Sequence, residues 1–105
     1  MTSVQIWVRK KAEMSPEDFK THWLEKHAPI ARDGYEHLRG YTVHLVTGAP
    51  EGQEVPFDGI ATLTWDDRDG FKADMKSDAA ARGTEDLRSF ADSFGLLFVE
   101  EHTVK

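Results

Sequence analysis

Hydrophobic and polar positions alternate at the start of the chain. Val4, Ile6 and Val8 fall on one side and Gln5, Trp7 and Arg9 on the other, which predicts a strand over 3–9. The period then changes. Phe19, Trp23, His27 and Ile30 recur at intervals of 4, 4 and 3 and share one face of a helix. Ser15-Pro16-Glu17-Asp18 marks its start: Ser15 can cap, Pro16 suits the first helical position, and Asp18 can close a capping box. The helix is expected to run from about Pro16 into the low thirties and to end at Gly34. A kink is expected between Glu25 and Pro29, because proline lacks an N–H and clashes with the carbonyl four residues back.

Alternation returns over Leu38–Val46, with Tyr41, Val43 and Leu45 opposite Thr42, His44 and Val46. A loop rich in Gly and Pro follows, to about Asp58. Gly59–Trp65 reads as a third strand, setting Ala61, Leu63 and Trp65 against Ile60, Thr62 and Thr64. Asp66 or Asp67 can cap a second helix carrying Phe71 and Met75. Thr84-Glu85-Asp86 is expected to open a short third helix that turns Leu87, Phe90 and Ala91 inward. Leu96–Val104 is expected to close the chain as a fourth strand. With Leu96 and Phe98 on one side and Leu97 and Val99 on the other, it reads as buried on both faces.

The order β-α-β-β-α-α-β predicts an α+β fold: a ferredoxin-like, four-stranded antiparallel sheet with its helices on one face. The 105 residues are expected to form one domain, 1–105. That length excludes a full (β/α)₈ barrel. It also raises a question, because three Trp and six Phe must be buried in so small a core. Trp7, Val46 and Ile60 point to the sheet face that no helix covers, which predicts a homodimer packed sheet to sheet.

Charge narrows the partners. Thirteen Lys and Arg against 19 Asp and Glu leave a formal charge of −6, so nucleic acid and anionic membranes are not expected partners. The absence of Cys excludes thiolate nucleophiles, disulfides and Cys-ligated metal. Neither a signal peptide nor an apolar run near the roughly 20 residues of a membrane span is present, which makes the cytoplasm the expected location.

The block Met14-Ser15-Pro16-Glu17-Asp18-Phe19-Lys20-Thr21-His22-Trp23-Leu24-Glu25-Lys26-His27-Ala28-Pro29-Ile30 resembles the first helix of the EthD family, within the dimeric α+β barrel superfamily. Leu38-Arg39-Gly40-Tyr41 is similar to that family's second strand, and Phe57-Asp58-Gly59-Ile60-Ala61 to its third. Glu85–Asp92 and Phe98–His102 resemble its C-terminal helix and strand. The resemblance implies a protomer that dimerises through its sheet and holds a ligand cavity between sheet and helices. Its relatives include cofactor-free monooxygenases, cyclases, isomerases and degradation proteins, so fold alone does not select a reaction. Polyketide cyclases of the superfamily carry a Tyr and a His at the end of the second helix, and haem-degrading relatives a His there. Asp74–Ala81 has neither, and Thr62 stands where many members carry an acid. Both of those readings are weakened.

His27 is the first candidate for chemistry. On the Phe19/Trp23 face it should enter an apolar cavity, where burial lowers its pKa and leaves a neutral base. The plainer alternative is a histidine bonded to a backbone carbonyl beside Pro29. His22 lies five residues away, about 140° around an α-helix, so the two are not expected to share a metal. His22 is expected to flank the core or meet solvent, with contact to substrate as the functional alternative. His44 is a second catalytic candidate or an interface residue. Tyr41 and Tyr35 could donate protons or hydrogen-bond a substrate, with a core role as the alternative for Tyr41. Phe19, Trp23, Trp65, Phe71 and Met75 could be substrate-binding walls or ordinary core. No metal site is expected, and no phosphate-cradling, HExxH or GxSxG pattern occurs.

Two functions fit these residues. The first is a cofactor-independent enzyme that moves a proton on a small hydrophobic cyclic or aromatic substrate, as an isomerase, lyase or oxygenase, with His27 as acid or base. The second is a non-catalytic protein that binds such a molecule for a partner enzyme.

Overall fold

A computed structural model covers Met1–Lys105. Strand β1 spans Thr2–Lys10 and is followed by helix α1 at Pro16–His22. Ser15 caps α1 by accepting from the Asp18 N–H at 3.1 Å, the forward half of the expected capping box. The helix continues through a π turn at Trp23–His27 into α2 at Ala28–Gly34. The irregularity expected near Pro29 therefore takes a definite form: the N–H of Ala28 bonds the carbonyl of Trp23, five residues back. The wider turn places Pro29 in the first turn of α2, where a missing N–H costs nothing.

Strands β2 (Leu38–Leu45) and β3 (Gly59–Trp65) precede α3 (Arg68–Met75), α4 (Asp78–Phe90) and β4 (Ala91–Val99). All pairings are antiparallel and the strand order is β2-β3-β1-β4, so the first strand is central and the last is an edge. The arrangement is ferredoxin-like. Asp67 caps α3 through the Gly70 N–H at 2.8 Å.

Three expectations at the C-terminal end are corrected. The third helix begins at Asp78 rather than Thr84, because Ser77 caps it by accepting from the Ala80 N–H and the run Asp78–Arg82 is rich in helix-favouring Ala. The fourth strand begins at Ala91, directly after that helix, and stops at Val99 rather than Val104. It stops because Val99 pairs with Ser3, and β1 offers almost nothing beyond. Finally, β4 is not buried on both faces. Leu96, Leu97 and Phe98 are each 42–58% exposed, because β4 has a neighbour on one side only.

The core lies between the helices and one sheet face. Val4, Val8, Ala61, Leu63 and Trp65 meet Phe19, Trp23, Leu87 and Phe90 there. The six-membered ring of Trp23 packs against Gly59, where a β-carbon would come within 2.6 Å of it, so only glycine admits the indole. The other sheet face carries no helix. Its rows run His44–Ile60–Trp7–Gly95 and Thr42–Thr62–Gln5–Leu97. The whole is a slab 18 Å thick and 42 by 36 Å across. No helix is long and apolar enough to cross a membrane.

Candidate active site

Beneath α2, α3 and α4 the sheet does not fill completely. A cavity of about 130 Å³ remains. Val4, Ile6, Leu63 and Leu96 form its floor, and Trp65, Phe71 and Met75 form one wall. Ile30, Ala31 and Leu87 form the opposite side, from which His27 and Tyr35 enter. The wall is held from behind. The Trp65 indole N–H donates to the buried carboxylate of Asp74 at 2.7 Å, and both carboxylate oxygens accept from the backbone N–H of His37. Phe71 packs edge-on against Trp65 with ring centres 5.0 Å apart. On its other side Phe71 meets Phe98 of β4, over which Arg68 lies at 3.9 Å.

His27 comes from the last residue of the π turn. Its Nδ1 is 2.8 Å from the carboxylate of Asp86, on the inner side of α4. Only 14% of its side chain is exposed, and its ring packs against Phe90. With Nδ1 held by the carboxylate as the donor, Nε2 is the basic nitrogen; it carries no hydrogen bond to the protein and, since no fully buried polar atom is left unpaired, it keeps access to open space. Burial lowers the His27 pKa below the ordinary 6.5, and the charge of His22 adds to the lowering. The hydrogen bond and charge of Asp86 oppose it and do not overcome it. The group is thus a neutral imidazole at pH 7, with a carboxylate poised to stabilise the imidazolium.

His22 bonds the same carboxylate, with Nε2 at 3.1 and 3.0 Å from its two oxygens. The separation of about 140° holds for an α-helix. The π turn between the two residues tightens it, so that His22 and His27 converge on Asp86. What they share is a carboxylate. No group of three or more His, Asp or Glu side chains is arranged to hold a metal ion.

The other expected site residues divide. Trp65, Phe71 and Met75 line the cavity with His27. Phe19 and Trp23 do not; they are core residues, packed edge to face 5.5 Å apart and 2% or less exposed. Tyr41 accepts the Trp23 indole N–H at 3.1 Å, and burial raises its pKa, partly offset by that bond. It belongs to the core edge rather than the cavity wall. His44 is exposed on the open sheet face, opposite Ile60, so the sheet itself separates it from His27. Tyr35 does line the cavity. Asp86 and Asp74 are the two residues that sequence reasoning missed. Asp86 was visible only as part of a helix start, and nothing in its local sequence reveals a partner 59 residues away.

The EthD domain family profile matches residues 11–93. Among solved structures, the chain is 26% identical to an ethyl tert-butyl ether D (EthD) family protein from Bacillus halodurans. The two superpose with a TM-score of 0.80 over 97% of this chain and 100% of that one. An EthD-like protein from Ralstonia eutropha is 16% identical, with a TM-score of 0.74 over 99% of this chain and 94% of that one. A protein from Bacteroides fragilis, described as dimeric and ferredoxin-like, is 11% identical, with a TM-score of 0.67 over 95% of each chain. No curated protein sequence matches the chain significantly.

Proposed function

Since the chain belongs to the EthD family, we propose that it is an enzyme moving a proton on a small, hydrophobic cyclic or aromatic substrate, with His27 as base and then acid. One observation carries the reading. A buried imidazole is bonded by a carboxylate through Nδ1, and its free Nε2 belongs to a ring lining an apolar cavity. Nε2 would take a proton from a carbon beside a carbonyl, or from a phenol. Asp86 would stabilise the resulting imidazolium, and the proton would return to the same molecule or to a leaving group. The apolar walls would exclude water and hold the ring. Isomerisation, elimination or reaction of an activated phenolate with O₂ can each begin with that step, and the protein's own side chains suffice for it.

The open sheet face supports a homodimer. A compact monomer of this mass exposes about 5,900 Å², whereas this chain exposes 7220 Å². The excess is larger than the roughly 800 Å² per partner of an ordinary interface. Trp7 lies flat over Gly95, where a β-carbon would meet its indole at 2.5 Å. A broad aromatic surface is thereby presented beside Ile60 and Leu97. The B. fragilis relative with this fold is described as dimeric. Light scattering should give twice the 11.9 kDa chain mass.

The catalytic reading is tested by screening small cyclic ketones and phenols against wild type and His27→Gln. The variant should lose about 10²–10⁴ in rate while remaining folded. An unchanged rate refutes the assignment. Binding without turnover in wild type would instead make the protein a carrier for the same class of molecule.

A further inference from the structure

The cavity has a second polar end. Apart from His27, the lining side chains with a free hydrogen-bonding group are Tyr35 and Thr84, since the Trp65 N–H is already given to Asp74. No Lys, Arg, Asp or Glu lines it. A carboxylate or phosphate would be stripped of water there without a countercharge, which disfavours any anionic ligand. A cavity of about 130 Å³ is close in size to the roughly 150 Å³ hole known to admit benzene.

Tyr35 enters at the C-terminal cap of α2. Its backbone N–H bonds the carbonyl of Ala31 at 2.9 Å, which anchors the residue where the chain turns extended. Its hydroxyl carries no hydrogen bond to the protein, and because no fully buried polar atom is left unpaired, it keeps contact with open space. That oxygen faces Gly83 of α4. A β-carbon placed on Gly83 would lie 3.6 Å from it and 3.8 Å from Ile30 Cγ2. Those are ordinary contact distances, so alanine would fit. Yet glycine inside a helix is less favourable than alanine, and Gly83 sits buried mid-helix with a φ that any residue adopts. Packing does not explain it. What the missing methyl does provide is open space beside the Tyr35 hydroxyl, at the cavity wall.

We propose that the Tyr35 hydroxyl and the gap over Gly83 form an oxygen-binding subsite, so that the ligand is a neutral aromatic ring carrying a carbonyl or hydroxyl oxygen. The ring lies against Trp65 and Phe71. Tyr35 hydrogen-bonds the oxygen, which leaves the His27 Nε2 for the acidic proton. This rests on the proposed reading of the cavity, and the experiment separates the two.

p-Cresol, toluene (the same ring without the hydroxyl) and benzoate are titrated into the full-length protein and followed by NMR. One hydrogen bond predicts that wild type binds p-cresol up to about tenfold more tightly than toluene. Tyr35→Phe should reduce that preference to less than about twofold while leaving toluene binding unchanged, as expected for one lost hydrogen bond. Gly83→Ala should raise the melting temperature by several degrees and weaken both ring ligands by about fivefold or more, because the helix gains and the cavity shrinks. His27→Gln keeps an amide oxygen that can accept from the phenol O–H, so the part of the preference that depends on Tyr35 should remain. Benzoate should bind about tenfold or more weakly than p-cresol. A preference that survives Tyr35→Phe, or that vanishes only with His27→Gln, overturns the subsite while leaving the His27 reading standing. Unchanged binding in Gly83→Ala overturns the role of the gap, and benzoate binding as tightly as p-cresol overturns the neutral class. If neither ring binds wild type, the cavity reading itself fails and the subsite fails with it.

Discussion

The wall of the cavity depends on one buried ionic hydrogen bond, and Trp65→Phe tests how much. The substitution keeps an aromatic ring against Phe71 but removes the indole N–H, which lies 2.7 Å from Asp74, together with part of the ring. Asp74 is 2% exposed, so water cannot replace the lost donor easily, and the two bonds from the His37 N–H are long. A hydrogen bond to a charged acceptor contributes about 1.5–3 kcal/mol. The smaller ring leaves a void that adds on the order of 1 kcal/mol. The expected loss is therefore about 2.5–4 kcal/mol, a large share of the roughly 5–15 kcal/mol that a domain of this size has.

Urea denaturation at fixed protein concentration would measure it, since any dimerisation makes stability concentration-dependent. A double-mutant cycle isolates the bond. In an Asp74→Asn background the Trp65→Phe penalty should shrink by about 1 kcal/mol, because a neutral amide is cheaper to leave without the indole. Penalties that add within about 0.3 kcal/mol would show that packing alone carries the cost, and the account of the wall would fall.

Five other outcomes are expected. Asp86→Asn should lower kcat on the order of 10²-fold or more with KM little changed, because the partner that fixes the His27 tautomer and stabilises its cation is lost. The rate should be flat above pH 7 and fall on acidification below the ordinary histidine value of 6.5, since only neutral His27 is a base. The same group makes a signed contribution to stability: below pH 6.5 the unfolded chain binds a proton that folded His27 resists, so this contribution is complete above 6.5 and declines as pH falls, and His27→Gln should flatten that part of a urea-midpoint series. Leu97→Glu, on the open sheet face and 58% exposed, should shift light scattering from dimer to monomer at micromolar concentration without unfolding the protomer. Ser77→Ala should cost about 1 kcal/mol by removing the cap of α4.

The sheet was readable wherever alternation was clean. In β3 every second residue is buried, as the pattern Ala61, Leu63, Trp65 requires, because the strand has neighbours on both sides and helices on one face. Reading failed where burial depends on what is absent. The run Leu96-Leu97-Phe98-Val99 has the look of a strand covered twice, yet β4 is an edge that a single chain leaves half open. Its start at Ala91 was hidden because Ala91 also satisfies the helical spacing of Leu87 and Phe90. The start of α4 was missed for a related reason. Ser77 and Asp78 are good caps, but Thr84-Glu85-Asp86 offers the same chemistry seven residues later, and local sequence alone does not rank them.

The site was half readable for a reason that lies in the backbone. Spacing puts His27 on the inner helix face, and regular α-helix geometry sets His22 about 140° away, which argues only against a shared metal. Pro29 was seen as an obstruction. Its consequence is more specific. Because Pro29 cannot supply an N–H to the carbonyl of Glu25, the register shifts by one residue, and a turn closed by Ala28 N–H to Trp23 carbonyl results. That shift draws two histidines five residues apart toward one carboxylate and leaves the Nε2 of the inner one unpaired beside the cavity. The proline thus does its work two residues upstream of itself, on a pair whose meeting point, Asp86, is supplied by a helix far along the chain. A local rule can locate such a break. Only the assembled fold shows which side chains the break brings together.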